Sequence, residues 1–115
     1  VEKINVYYGK VQALYDASLQ IGKNEIVSII GANGAGKSTM IRSIMGLTHV
    51  SSGAIQFRGQ NITKLSTHNR TRQRITCVPE GRHVFPGLSV RDNLEMGAFS
   101  RRLNRAALKE EIDKV

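Results

Sequence analysis

The run Ile26-Val27-Ser28-Ile29-Ile30-Gly31-Ala32-Asn33-Gly34-Ala35-Gly36-Lys37-Ser38-Thr39 decides how this sequence folds. Its first five residues are uncharged and mostly β-branched, the pattern of a short strand buried on both faces. The next six are too rich in glycine for regular structure. From Lys37 to Leu47, residues Met40, Ile41, Ile44, Met45 and Leu47 recur on a helical period. Strand, loop and helix therefore follow in order, and Gly31 to Ser38 spells G-x-x-x-x-G-K-S in full.

Each residue type in the loop suits phosphate. Gly31, Gly34 and Gly36, with Asn33 and Ala35 between them, let the backbone bring amide N–H groups close to anionic oxygens. The helix start adds unsatisfied donors and a positive dipole end. Lys37 is a point charge for β- and γ-phosphates, and the Ser38 hydroxyl suits Mg²⁺. Thr39 is positioned to donate to an outer phosphate. A glycine-rich turn that merely contains a lysine would not need the flanking strand and helix. The sequence thus predicts a domain that binds a nucleoside triphosphate with Mg²⁺.

Outward from the loop, Ile4, Val6 and Tyr8 alternate as in a strand, and Gly9-Lys10 makes a turn. Val11 to Ile21 reads as a second strand paired with the first, and Gly22-Lys23-Asn24 as a turn. Beyond the phosphate-loop helix, Ala54 to Phe57 reads as a strand and Leu65 to Arg74 as a polar helix capped by Ser66 or Thr67. Ile75 to Val78 reads as a strand, with Cys77 a small core residue. Glu80 to Leu88 is a loop. Ser89 caps a helix carrying Val90, Leu94 and Met96. A last helix starts near Asn104, with Ala107, Leu108 and Ile112 on its apolar side.

Composition bounds the rest. A chain of 115 residues fits one domain. The uncharged stretch between Glu25 and Lys37 is too short and too broken by glycine to span a bilayer. A single cysteine excludes an internal disulfide framework and suits a reducing cytoplasm. The net charge of +8 is uneven: no acidic residue lies between Glu25 and Glu80. That stretch holds Lys37, Arg42, Arg58, Lys64, Arg70, Arg72 and Arg74. No aromatic residues interleave with them, which disfavours single-strand nucleic-acid binding. The chain starts at Val1 and ends within the helical pattern Leu108, Ile112, Val115, which suggests a piece of something longer.

The residues around the loop narrow the reading. The run from Ile26 to Thr39 resembles the ATP-binding subunits of ABC transporters, and so does the sequel from Ser52 to Ile62. The stretch Val78-Pro79-Glu80-Gly81-Arg82-His83-Val84-Phe85-Pro86-Gly87-Leu88-Ser89-Val90-Arg91-Asp92-Asn93-Leu94 is more selective. It resembles the ATPases of branched-chain amino-acid importers, especially the LivF-type subunit. The resemblance spans essentially the whole chain but only the N-terminal half of such a subunit. It implies an α/β fold: a P-loop NTPase (RecA-like) core with an N-terminal antiparallel β part and the start of a helical subdomain. Residues to about 88 would be the β and phosphate-loop part, and residues from about 89 to 115 the start of the helical subdomain.

The same resemblance implies site roles. Tyr8, followed by Gly9, matches the aromatic position that stacks on adenine, with Tyr7 as competitor. Glu80 stands where most such ATPases carry a glutamine that reaches the metal and the attacking water. The importer subgroup shares its Pro-Glu-Gly-Arg form, so Glu80 is a candidate for Mg²⁺ and for catalysis beside Lys37. Pairing with Arg82 is the alternative for Glu80. The implied cofactors are ATP and Mg²⁺. The implied partners are transmembrane permease subunits and a second ATP-binding subunit, arranged head to tail, on the inner face of the cell membrane. Arg82, Phe85 and Leu88 are candidates for contact with the permease.

Part of the hydrolytic apparatus is missing from these 115 residues. There is no Leu-Ser-Gly-Gly signature and no apolar strand ending in Asp-Glu. Asp92, Glu95 and Asp113 lie in predicted helices. The expectation is nucleotide binding with negligible turnover. The competing readings are an ABC-type ATPase acting on nucleic acid or ribosomes, and a non-catalytic nucleotide-binding module.

Overall fold

The computed structural model describes residues 1–81, 83–101 and 103–115, without the Ser100 side chain. Contacts divide the chain into two compact units, Val1–Thr76 and Cys77–Val115.

The first unit opens with a hairpin. Strand β1 (Glu2–Tyr8) pairs antiparallel with β2 (Val11–Ala17) across the Gly9-Lys10 turn, with Val6 opposite Leu14 and Tyr8 opposite Val11. Strand β3 (Ser52–Ala54) adds to the other edge, giving the order β2-β1-β3. Two two-residue strands, β4 (Gln56–Phe57) and β5 (Gln60–Asn61), form a tight hairpin around the Arg58-Gly59 turn. The phosphate-loop helix α1 (Lys37–Met45) lies against this β part, and α2 (Thr67–Arg72) packs on it. Alternation in β1 turns Ile4 and Val6 inward, where they meet Leu14, Met40, Val50, Ile55 and Ile62. Each such side chain stabilises the fold by about 1.5–3 kcal/mol on burial.

Four strand predictions differ from what is found. The second strand stops at Ala17 rather than Ile21, and the expected strand from Ala54 to Phe57 is broken at Ile55 between β3 and β4. The run Ile26–Ile30 and the run Ile75–Val78 carry no strand at all. Ile26 and Ile30 are 98% and 92% exposed, and Cys77, expected in a core, is exposed as well. The reason is pairing. Strand propensity expresses how a side chain packs on neighbouring strands, and no described strand flanks either run.

The second unit is helical. Helix α3 (Val90–Ala98) runs into a 3-10 turn (Phe99–Arg101), and α4 (Arg105–Ile112) packs on α3. Ser89 caps α3 with a full capping box: its side chain accepts from the Asp92 amide while the Asp92 carboxylate accepts from the Ser89 amide. Asn104 caps α4 through the Ala107 amide. No helix among the described residues is long and apolar enough to cross a membrane.

Candidate functional site

The glycine loop leads directly into α1, and its backbone is shaped by two left-handed glycines. Gly34 has φ +84° and Gly36 φ +91°. A Cβ at Gly36 would lie 2.6 Å from Leu14 Cδ2, so both conformation and space require glycine there. The Ala35 amide donates to the Ala32 carbonyl at 3.2 Å, which curls the loop. The first helical bond runs from the Met40 amide to the Gly36 carbonyl at 2.9 Å. The amides of Lys37, Ser38 and Thr39 precede it. No side chain caps this end, and no acidic residue sits in the first turn. Uncapped donors, a positive dipole end and a lysine thus converge on one exposed loop.

Lys37 folds back over that loop. Its Nζ donates to the carbonyls of Gly31 and Ala32, both at 2.8 Å. Among the described residues no carboxylate pairs with it; the ion pairs all lie in the second unit. An ammonium held only by two carbonyls over free amides is a fitting receptor for a polyphosphate, so the residues suit ATP. Asn33 and Ser38 are exposed beside it. Thr39 is buried, with its carbonyl accepting from the Ser43 hydroxyl at 2.8 Å. For Mg²⁺ the fit is partial. The described residues include no group of three or more His, Cys, Asp or Glu that could hold a metal. A cation here would take the Ser38 hydroxyl, phosphate oxygens and water, the usual arrangement for a hard, well-hydrated ion.

Tyr8 and Tyr7 differ in surroundings. The Tyr7 hydroxyl donates to Gln12 Oε1 at 2.8 Å and so stays with its own hairpin. The Tyr8 hydroxyl lies 3.5 Å from Thr48 Oγ1, the outer limit for a hydrogen bond. Hydroxyls of Thr39 and Thr48, with the Arg42 guanidinium, hold the Tyr8 phenol below its usual value. Tyr8 therefore stands against the phosphate-loop helix, with its ring half-exposed. The first unit holds the loop from Gly31 to Gly36, Lys37, Ser38 and Thr39 on one continuous segment, and Tyr8 with its hydroxyl near Thr48, just beyond α1. Glu80 belongs to the second unit, where it is exposed. Arg82 lies outside the described residues.

Sequence reasoning missed Arg70, read there as one member of a basic surface. Its side chain is 1% exposed. Its guanidinium donates to four carbonyls: Ser43 at 2.6 Å, Ile44 at 2.8 Å, Thr63 at 2.7 Å and Leu65 at 2.9 Å. The first two belong to the last turn of α1, where a cation also meets the negative dipole end. Burial lowers the pKa of the guanidinium. A signal existed in the sequence: α2 reads Thr-His-Asn-Arg-Thr-Arg, with no apolar residue to face inward. A long amphipathic stem had to fill that side.

Known proteins bear on this geometry. The sequence pattern of the ABC transporter family matches residues 14–115. The chain is 47% identical over 98 residues to the high-affinity branched-chain amino acid transport ATP-binding protein BraG of Pseudomonas aeruginosa, covering 85% of the chain and 42% of that protein. It is 38% identical over 111 residues to a probable branched-chain amino acid transport ATP-binding protein, LivF, of Archaeoglobus fulgidus, covering 96% of the chain and 46% of that protein. The chain thus spans less than half the length of these relatives. A solved structure of an ATP binding subunit of an ABC transporter superposes with a TM-score of 0.78 at 30% identity, over 91% of this chain and 43% of that one. The fold class that the resemblance implies is therefore the one found: the chain has the architecture of part of an ABC ATPase domain and belongs to the ABC transporter family.

Proposed function

We propose that this chain forms the nucleotide-binding part of an ATP-binding subunit that couples ATP hydrolysis to import of branched-chain amino acids. The observation that carries it is the Lys37 ammonium, held only by the Gly31 and Ala32 carbonyls above an uncapped helix start. The names of the BraG and LivF relatives supply the cargo class. Residues to about 88 serve as the β and phosphate-loop part, and the residues after them open the helical subdomain.

Gly31, Asn33, Gly34, Ala35 and Gly36 wrap the phosphates with backbone amides. Lys37 swings from its two carbonyls to the β- and γ-phosphates, so a nucleotide exchanges for those two hydrogen bonds. Ser38 ligates Mg²⁺, and Tyr8 offers its face to the adenine. Bound Mg²⁺ would neutralise charge developing on the phosphates. Thr39, in the first turn of α1, donates to an outer phosphate. Glu80 serves at the metal and water side. The subunit works with a second ATP-binding subunit, head to tail, and with transmembrane permease subunits at the inner face of the membrane. The exposed Val84, Phe85 and Leu88 supply the apolar surface facing a short helix of the permease.

The 115 residues lack the Leu-Ser-Gly-Gly motif and an Asp-Glu strand end, so they bind nucleotide without appreciable turnover. Calorimetric titration with Mg-ATP and Mg-ADP tests the reading. Heat of binding is expected for the wild type, and Lys37→Ala should weaken binding at least about tenfold, the loss of a charge-assisted contact, with an unchanged far-UV spectrum. A folded wild type that gives no heat sinks nucleotide binding. Strong phosphate release that Lys37→Ala abolishes sinks the expectation of negligible turnover.

A further inference from the structure

We infer that Asn93 is a positioning residue that holds the Phe85–Leu88 turn in the shape in which it docks on the permease; the docking itself rests on the function proposed above. The turn Phe85-Pro86-Gly87-Leu88 closes with the Leu88 amide donating to the Phe85 carbonyl at 3.0 Å. Asn93 stands eight residues beyond Phe85, in the first turns of α3. Its Oδ1 accepts from the Phe85 amide at 2.8 Å, and its Nδ2 donates back to the Phe85 carbonyl at 3.1 Å. The side-chain amide thus takes the place of a neighbouring strand's peptide group. Nδ2 also donates to the Leu88 carbonyl at 3.3 Å and the Ser89 carbonyl at 2.9 Å. These contacts fix the amide orientation, because a flipped group would set N–H against N–H at Phe85.

Nothing in the local core does this job. Helices α3 and α4 have no buried residue. Capping of α3 is already supplied by Ser89 and Asp92, so three of the four Asn93 contacts serve the turn and not the helix. What the turn presents is apolar: Val84, Phe85 and Leu88 are all exposed. An apolar knob on a backbone fixed in advance loses less conformational freedom on binding than a free loop.

Two variants separate the contacts. Asn93→Leu keeps the size and removes every polar atom; Asn93→Asp keeps the acceptor for the Phe85 amide. In hydrogen exchange on this chain, Asn93→Leu should speed exchange at Phe85 about tenfold, the loss of one hydrogen bond, while the amides of α4 stay unchanged. Asn93→Asp should keep Phe85 protected. For docking, a full-length ATP-binding subunit that carries this chain as its nucleotide-binding part is titrated onto permease-bearing liposomes. Asn93→Leu should raise the concentration for half-maximal stimulation of turnover about tenfold with KM for ATP unchanged, and the double variant with Phe85→Ala should be no worse than Phe85→Ala alone. Unchanged Phe85 exchange, an unchanged half-maximal concentration, or additive effects in the double variant each overturn the role of Asn93. A wild type that the permease does not stimulate overturns the importer reading instead, and the docking role with it.

Discussion

Among the described residues, those of 1–76 carry every buried apolar side chain and none of the ion pairs, and those of 77–115 carry all four ion pairs and no buried side chain. Charge divides the same way. The first unit has ten basic residues against three acidic, the second seven against six. The first is therefore assembled by burial between distant stretches, with Ile4 meeting Ile62. The second is assembled by rules that act within about one helical turn: a capping box, an asparagine cap, and pairs such as Arg91–Glu95 at 3.1 Å. The contrast suits the proposed phosphate site, because a rigid and basic setting favours a polyanion. It also says where each unit should be fragile.

The largest break should come from the core. Ile62→Ala removes a side chain that is 1% exposed and is expected to cost about 3 kcal/mol. Val90→Ala in the second unit should stay within about 0.5 kcal/mol. Urea denaturation of the two variants makes the comparison, and equal effects would erase the distinction. Next comes Arg70→Met, which keeps the apolar stem but leaves the Ser43, Ile44, Thr63 and Leu65 carbonyls without their donor. A loss of about 2 kcal/mol is expected, again by denaturation, with weaker nucleotide binding because α1 loses the anchor of its far end.

Smaller effects probe the second unit. Ser89→Ala removes a cap and should cost about 1 kcal/mol, visible as lower helicity confined to α3. The smallest is a response to pH. Arg101 at 2.6 Å and Lys114 at 3.2 Å hold the Glu111 carboxyl below its ordinary value of 4.5. A carboxylate depressed in the folded state stabilises above its unfolded pKa and ceases to do so as pH falls through the folded one. The support for α4 should therefore fade below about pH 4.5. Glu110 and Glu111 raise the Lys114 pKa above 10.5, so its share is present below that value and lost on the alkaline side. Chemical shifts in α4 should follow both limbs while those of Ile4 and Ile62 stay flat. Flat shifts throughout would show that these exposed pairs do not hold the helix.

The same division explains what could be read from the sequence. The loop Gly31–Ser38, the hairpin turn at Gly9-Lys10, the cap at Ser89 and the start of α4 at Asn104 are each encoded within a few residues, and each is found where local chemistry puts it. Ile26–Ile30 has equally clear β propensity, but a strand is a relation between segments, and its partner is not written in its own five residues. Cys77 fails for the same reason, since its burial was inferred from a strand that does not form. Arg70 was misread because a charge suggests solvent, whereas a guanidinium surrounded by helix-end carbonyls finds its donors' needs met inside. The role of Asn93 is not legible in its helix, because its contacts reach back eight residues to a loop.

The exposed run Ile26–Ile30 has one further consequence, for how the chain behaves in bulk. No backbone hydrogen bond among the described residues engages it, so its amides and carbonyls are open to another copy of themselves. Short uncharged β-branched segments without proline are seeds for stacked, fibre-like assembly. What opposes such encounters is the net charge of +8 shared by every molecule. Salt shortens the reach of that repulsion to about 10 Å at 0.1 M. The shelf life of a solution of this chain should thus fall with ionic strength and with the square of concentration, independently of how firmly each molecule is folded.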